Sequence, residues 1–305
     1  MEKTNKRIRL DDYFIKRIAS LEARRTYSTA SNYRWTLKSF DAFAGHGVWM
    51  DQLSRVDLVR YNNNLYDRGL TRNSVSFYNR VLKAVCNRAA EDGYSVDTGI
   101  FANLYTGVDK TKKRALPVAV MRKIINYDPD GNPDMALCRD LFLFSFYCRG
   151  MSFVDVAFLR PTNLNGEFLT YTRHKTGQFL VIRLESCMRE ILSHYSGQPY
   201  LFPLLTTTNP KDAYQEYIYQ MHRQNLRLKE LGKRCGAGIP LNSYAARHTW
   251  ATLTRNLGMP ISIISSGLGH SCEKTTRIYL DSIAQIDVDD ANKKLQNYLF
   301  NPDLK

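Results

Sequence analysis

At 305 residues, 44% hydrophobic and 24% charged, the chain has an ordinary globular composition that excludes disordered and fibrous classes and suits two domains, each with its own core. Lys and Arg number 43 against 29 Asp and Glu, a formal net charge of +14 that points to a polyanionic partner. The opening residues MEKTNKRIRLDDYF lack an apolar leader core and the strongest apolar run, 141–147, is too short to span a bilayer, so a cytoplasmic location without membrane attachment is expected.

In chain order, apolar periodicity predicts helices over 10–23, 29–44, 55–68 and 71–92, with Gly45, Gly47, Gly69 and Gly93 as stops. In the fourth, Val75, Tyr78, Leu82 and Val85 recur at the three-to-four spacing of a buried stripe. Residues 1–106 therefore read as a small helical bundle. The run GVDKTKKRALP, 107–117, is polar, basic and closed by proline, as in an interdomain linker able to lie along a phosphate backbone. Residues 1–110 hold 18 basic and 12 acidic side chains, +6, and the rest 25 and 17, +8, so the positive charge is spread over two surfaces rather than gathered in one tail.

The second domain, 118–305, opens with a helix near Val118 and a strongly apolar helix over 135–148. Strands are predicted over 168–173 and 178–184, joined by the turn His174-Lys175-Thr176-Gly177, which puts Lys175 at a hairpin tip. Helices follow over 212–231, 243–257 and 261–268, then an amphipathic tail helix over 287–300 with Val288, Ala291, Leu295 and Leu299 on one stripe. The fold class expected is mainly α with a small antiparallel sheet (α+β). Cys86, Cys138, Cys148, Cys187, Cys235 and Cys272 show no CxxC spacing, and neither a zinc site nor a disulfide framework is indicated.

Candidate chemistry gathers toward the C-terminus. His270 and Tyr279 stand nine residues apart in LGHSCEKTTRIYL. A phenol with a pKa near ~10 is a poor nucleophile and needs cationic neighbours to draw it toward phenolate. Upstream the chain offers Tyr244-Ala-Ala-Arg247-His248-Thr, then earlier Lys175 in the turn and Arg149 in FYCRGMSFVDVAFL. Alone, each has a plain structural explanation: one of 19 tyrosines in a core, a histidine capping a helix, a solvated turn lysine, an arginine in a surface ion pair. His248, next to Arg247 on a helix, points about a quarter turn away and reads as a packing group.

Taken in order, these residues resemble the tyrosine recombinases of the phage integrase family, in the compact two-domain form: a helical core-DNA-binding domain, a basic linker, and a catalytic domain with Arg, hairpin Lys, RHT, LGH and Tyr. The resemblance implies that Tyr279 attacks the scissile phosphodiester to leave a 3′-phosphotyrosyl link, that Arg247 and Arg149 grip non-bridging oxygens, that Lys175 protonates the departing 5′-oxygen, and that His270 supports the phosphate. Two positions depart from the family. Where it usually carries His, three residues before Arg247, this chain has Tyr244, a phenol that can donate a hydrogen bond but not become a cation. Aligning Asp155 with the family's acidic residue puts Ser152 in the place of the first arginine, so Arg149 is the candidate, with Arg160 and Arg173 as alternatives.

By the same resemblance the reaction is site-specific recombination on double-stranded DNA by a homotetramer that is a monomer or weak oligomer when free, with an accessory DNA-bending protein as a further partner. The outcome is integration, excision or inversion. The tail helix would dock on its own domain or on a neighbouring protomer. No P-loop and no acidic cluster with two-metal spacing is present in the sequence, so no cofactor is expected. The alternatives are a type IB topoisomerase and a catalytically impaired DNA-binding accessory protein.

Overall fold

A computed structural model describes residues 6–109, 115–195 and 197–270; Tyr279 and the expected tail helix 287–300 lie outside them. The chain divides into two compact units, Met1–Thr111 and Lys112–Lys305.

The first unit contains helices α1 (Leu10–Ala23), α2 (Tyr27–Ala44), α3 (Arg55–Asp67) and α4 (Arg72–Glu91), close to the sequence expectation. Their starts are set by side chains that satisfy orphan amides: Ser54 and Asp57 form a reciprocal capping box on α3, and Thr71 Oγ1 accepts from the Ser74 amide on α4. The buried stripes Leu10, Tyr13 and Phe14 of α1 and Val75, Leu82 and Val85 of α4 meet Phe40, Tyr61 and Leu65 in one core. Phe40 and Tyr61 pack edge to face at 5.1 Å, and the buried Tyr61 hydroxyl donates to Ser39 Oγ at 2.9 Å. The start of the expected linker is fastened to this unit. Asn73 bonds both the amide and the carbonyl of Asp109, at 2.7 and 3.1 Å, Ser76 Oγ donates to the Gly107 carbonyl at 2.6 Å, and the Arg72 guanidinium lies 3.7 Å from the Tyr105 ring centre.

The second unit is built around α6 (Pro133–Tyr147), which is apolar nearly all round because α5 (Val118–Ile125), α8 (Ser186–Ser193), α9 (Pro210–Arg234) and α10 (Tyr244–Asn256) all pack on it. Gln224 Nε2 donates to the Cys138 carbonyl at 2.9 Å, fixing α9 to α6, and Phe144 meets Phe202 edge to face at 5.0 Å. Strands β1 (Leu164–Asn165), β2 (Phe168–Thr172) and β3 (Phe179–Arg183) form an antiparallel sheet in that order, in the register Phe168↔Arg183 and Tyr171↔Leu180. Leu169, Tyr171, Leu180 and Ile182 alternate inward onto the core. Besides short 3-10 helices at Thr98–Phe101 and Pro161–Asn163, three elements were not foreseen: β1, α8 and the five-residue α7 (Phe153–Ala157), which is too short for periodicity to mark. The last described helix, α11 (Ile261–Leu268), packs Ile264 and Leu268 against Ala251 and Trp250 of α10, and a Cβ on Gly267 would stand 2.7 Å from the Trp250 ring. No helix among the described residues is long and apolar enough to cross a membrane.

The end of the linker run is also anchored. Leu116 is buried and its amide donates at 3.0 Å to Thr249 Oγ1, which itself donates to the Ala245 carbonyl one turn back on α10. Thr249→Val keeps the shape and leaves the Leu116 amide without its acceptor. It should lower the stability of the second unit by about 1–3 kcal/mol in denaturant unfolding and speed exchange of the Leu116 amide, while Thr249→Ser should do neither.

Candidate active site

Arg247 is the centre of the site. It sits on the inner face of α10 between Ala246 and Thr249 and is only 2% exposed, so its N–H groups need acceptors inside the protein. Nη1 donates to the Gly150 carbonyl at 2.9 Å; Nη2 donates to the Leu268 carbonyl at 2.5 Å and to His270 Nε2 at 3.0 Å. The last contact makes Nε2 the acceptor, which leaves the proton of the neutral imidazole on Nδ1.

Gly150 reaches Arg247 because it has no side chain. Its φ is +69°, and a Cβ there would lie 2.6 Å from the Arg247 Cα. Arg149 precedes it, half-buried, in the left-handed backbone region at φ 59° just past the end of α6. Ser152, in the register of the first arginine, serves elsewhere, its Oγ donating to Asp155 Oδ2 at 2.5 Å. Arg160 is exposed and stacks over Tyr200 at 5.2 Å.

The β2–β3 hairpin brings a second guanidinium. Arg173 is 5% exposed and donates through Nη1 to the Gly269 carbonyl at 2.5 Å. Gly269 takes φ +63°, and a Cβ there would meet Arg173 Cδ at 2.8 Å, so this glycine too makes room for an arginine. Two buried cations thus bind the last carbonyls of α11, where helix geometry leaves carbonyls unsatisfied and favours positive charge. Lys175 stands exposed on the turn two residues later. Asp155, 2% exposed, lies 4.0 Å from Arg173 Nε. Burial works to raise its carboxyl, but bonds from the His174 ring and amide and from Ser152 outweigh it and hold the group below the usual carboxylate range. Burial, followed by the charges of Arg247, Arg173 and Lys175, pushes His270 down to about 4.

Chemically, this is a site for an anion. Backbone carbonyls satisfy N–H geometry but bring no charge to set against two guanidiniums, and a planar fork of donors matches the paired oxygens of a phosphodiester. Of the residues picked out from the sequence, Arg247 and His270 are in direct contact, the Arg149–Gly150 turn abuts Arg247, and Lys175 is close enough for its charge to act on His270. Tyr244 opens α10 one turn before Arg247, 40% exposed and edge-on to His248 at 5.0 Å. Tyr279 lies outside the described residues. Arg173, only an alternative to Arg149 in the sequence, is the one the fold buries here; its signal was its place two residues before Lys175 in the predicted hairpin.

Residues 9–100 match the family described as the phage integrase SAM-like domain. Tyrosine recombinase XerA of Pyrococcus furiosus is 25% identical over 231 residues, covering 73% of this chain and 74% of that protein. The chain is thus similar to tyrosine recombinases over most of its length. A tyrosine recombinase of Pseudothermotoga lettingae is 26% identical over 168 residues, 52% of this chain and 54% of that one. Among solved structures, a lambda integrase dimer bound to a COC′ core site superposes with a TM-score of 0.65 at 14% identity, covering 92% of this chain and 80% of that one. The Tn1549 transposon integrase in complex with transposon right end DNA superposes at 0.63 with 13% identity, covering 95% and 100%. The α+β fold of this chain is therefore that of the integrases.

Two consequences can be measured. Gly150→Ala puts a methyl into the Arg247 backbone from a left-handed residue, so it should destabilise the second unit by at least about 2 kcal/mol, read as a lower denaturation midpoint. In an NMR titration, His270 should remain neutral and Nδ1-protonated down to about pH 4. Its folded pKa lies below the unfolded one, so its contribution to stability is complete above about pH 6.5 and is lost as pH falls toward 4. A midpoint for His270 near 6.5 would contradict the burial and charge arrangement.

Proposed function

We propose that this site-specific DNA recombinase breaks and rejoins strands with Tyr279 as nucleophile and the cluster around Arg247 as the phosphate-binding site. The observation that supports this most is the convergence of Arg247, Arg173 and His270 at the end of α11, nine residues before Tyr279, with Lys175 at the rim. In the forward step the Tyr279 oxygen forms a bond to phosphorus and the bond to the 5′-oxygen breaks. Lys175 gives the leaving oxygen its proton, and the phenolic proton passes to water. Arg247, with Arg149 and Arg173, stabilises the charge on the non-bridging oxygens, and neutral His270 donates through Nδ1. Tyr244 contributes a hydrogen bond at most. Religation is the same step reversed, and the phosphotyrosyl link conserves the bond energy.

A lambda integrase tetramer has been solved on a Holliday junction, with a TM-score of 0.63 to this chain. An analogous homotetramer on two double-stranded DNA sites is the assembly that goes with the reading, acting in the cytoplasm where such DNA is held, with an accessory DNA-bending protein a further partner. The basic residues of both units would supply most of the affinity through phosphates. The relatives are recombinases and integrases, which disfavours the topoisomerase and impaired-accessory alternatives.

Wild type and Tyr279→Phe are incubated in EDTA with supercoiled DNA carrying the sequences that flank the gene, then quenched with SDS. A covalent protein–DNA adduct and rearranged products should appear with wild type only. An adduct that persists in the phenylalanine variant would remove Tyr279 from its role.

A further inference from the structure

The turn that carries Lys175 is held by the residue before it. The His174 amide donates to Asp155 Oδ1 at 2.9 Å, and its ring Nδ1 donates to the same oxygen at 3.0 Å. Asp155 is itself fixed, since it is buried on α7 and its other oxygen accepts from Ser152 Oγ at 2.5 Å. The His174 ring also packs on Phe158 with centres 5.0 Å apart, although its side chain is 46% exposed. The hairpin closes through the Arg173 amide to the Gln178 carbonyl and the Gly177 amide to the Arg173 carbonyl, both 2.9 Å. Lys175 therefore leaves the protein from a point clamped on one side by the sheet and on the other by a buried carboxylate. Its own side chain is exposed and flexible, so its aim depends on where that point is held.

We propose that His174 is a positioning residue: through Asp155 it holds the hairpin turn on α7 so that the Lys175 ammonium reaches the departing 5′-oxygen. The proposal rests on Lys175 as the general acid, and His174 itself touches no reacting atom. Ser152 belongs to the same device. The position that would carry the first arginine instead braces the carboxylate that braces the lysine, and the arginine charge is supplied by Arg149 and Arg173.

A positioning role can be separated from a structural one by changing the leaving group. If sulfur replaces the 5′-bridging oxygen, the Tyr279–phosphorus bond forms and the phosphorus–sulfur bond breaks as before, but sulfur departs as a thiolate, stable without a proton near neutral pH. The phenolic proton again goes to water, and nothing is required of Lys175. Single-turnover cleavage is measured on two duplexes that differ only in this atom, at the scissile bond mapped from the Tyr279 adduct. Lys175→Ala should be slow on oxygen and restored on sulfur, while Arg247→Ala should be slow on both. His174→Ala should follow Lys175: about 10- to 100-fold slower on oxygen, as expected for a reacting group misplaced by about 1 Å, and within about threefold of wild type on sulfur. His174→Asn, which keeps a donor for Asp155, should recover most of the oxygen rate. His174→Phe keeps the packing on Phe158 without the ring bond and carries the same comparison if the alanine variant fails to fold. Equal rates on both substrates, or equal losses on both, for the His174 variants would overturn the proposal while a rescued Lys175→Ala left the acid in place. A Lys175→Ala variant that sulfur does not rescue would remove the acid, and the role of His174 with it.

Discussion

The arrangement depends on the burial of one guanidinium. Arg247 has lost nearly all contact with solvent, so the chain must bring acceptors to a planar fork whose geometry cannot adapt. It brings them from three places: the turn after α6, the end of α11, and the imidazole of His270. Each imposes a local condition. The α6 turn can approach only because residue 150 is glycine, and the α11 end can accept only because a helix terminus leaves its carbonyls unbonded.

Carbonyl acceptors satisfy hydrogen-bond geometry without cancelling charge, and this has a consequence for function. Arg247 and Arg173 share the end of α11, and the Asp155 carboxylate, 4.0 Å from Arg173 Nε, is already bonded by Ser152 and His174. A bound phosphate diester would bring negative charge to both guanidiniums, in a setting where water competes weakly and each contact is worth more than at the surface. Burial and then the same positive field keep His270 neutral, so the imidazole bonds without adding to the charge. Buried cations and an exposed one are thus divided between elements: the guanidiniums are held in the core, whereas Lys175 stands on a turn, which suits the proton donor proposed for it.

The helices of the first unit were legible almost residue by residue, because stripes such as Val75, Leu82 and Val85 repeat with the helical period and Gly45, Gly69 and Gly93 mark the stops. The β2–β3 hairpin was legible for a similar reason, in alternation on either side of a glycine-containing turn. The five residues of α7 and the two of β1 were not, since neither completes two periods. The linker run looked uniformly polar, yet Asp109 and Leu116 are both bonded to folded elements. Those bonds join residues 36 and 133 positions apart, which no local pattern can indicate.

For the proposed site, the sequence alone determined the identity and order of the candidate groups, Lys175, Arg247, His270 and Tyr279, because the motifs that carry the resemblance are local. Only the tertiary structure decided that Arg173 lies buried beside Arg247, that Ser152 braces Asp155, and that Gly150 and Gly269 are each the space an arginine occupies. An arginine on a strand reads the same whether it faces water or the core. The difference is made by what the fold brings opposite it, here the carbonyl of a residue 96 positions away.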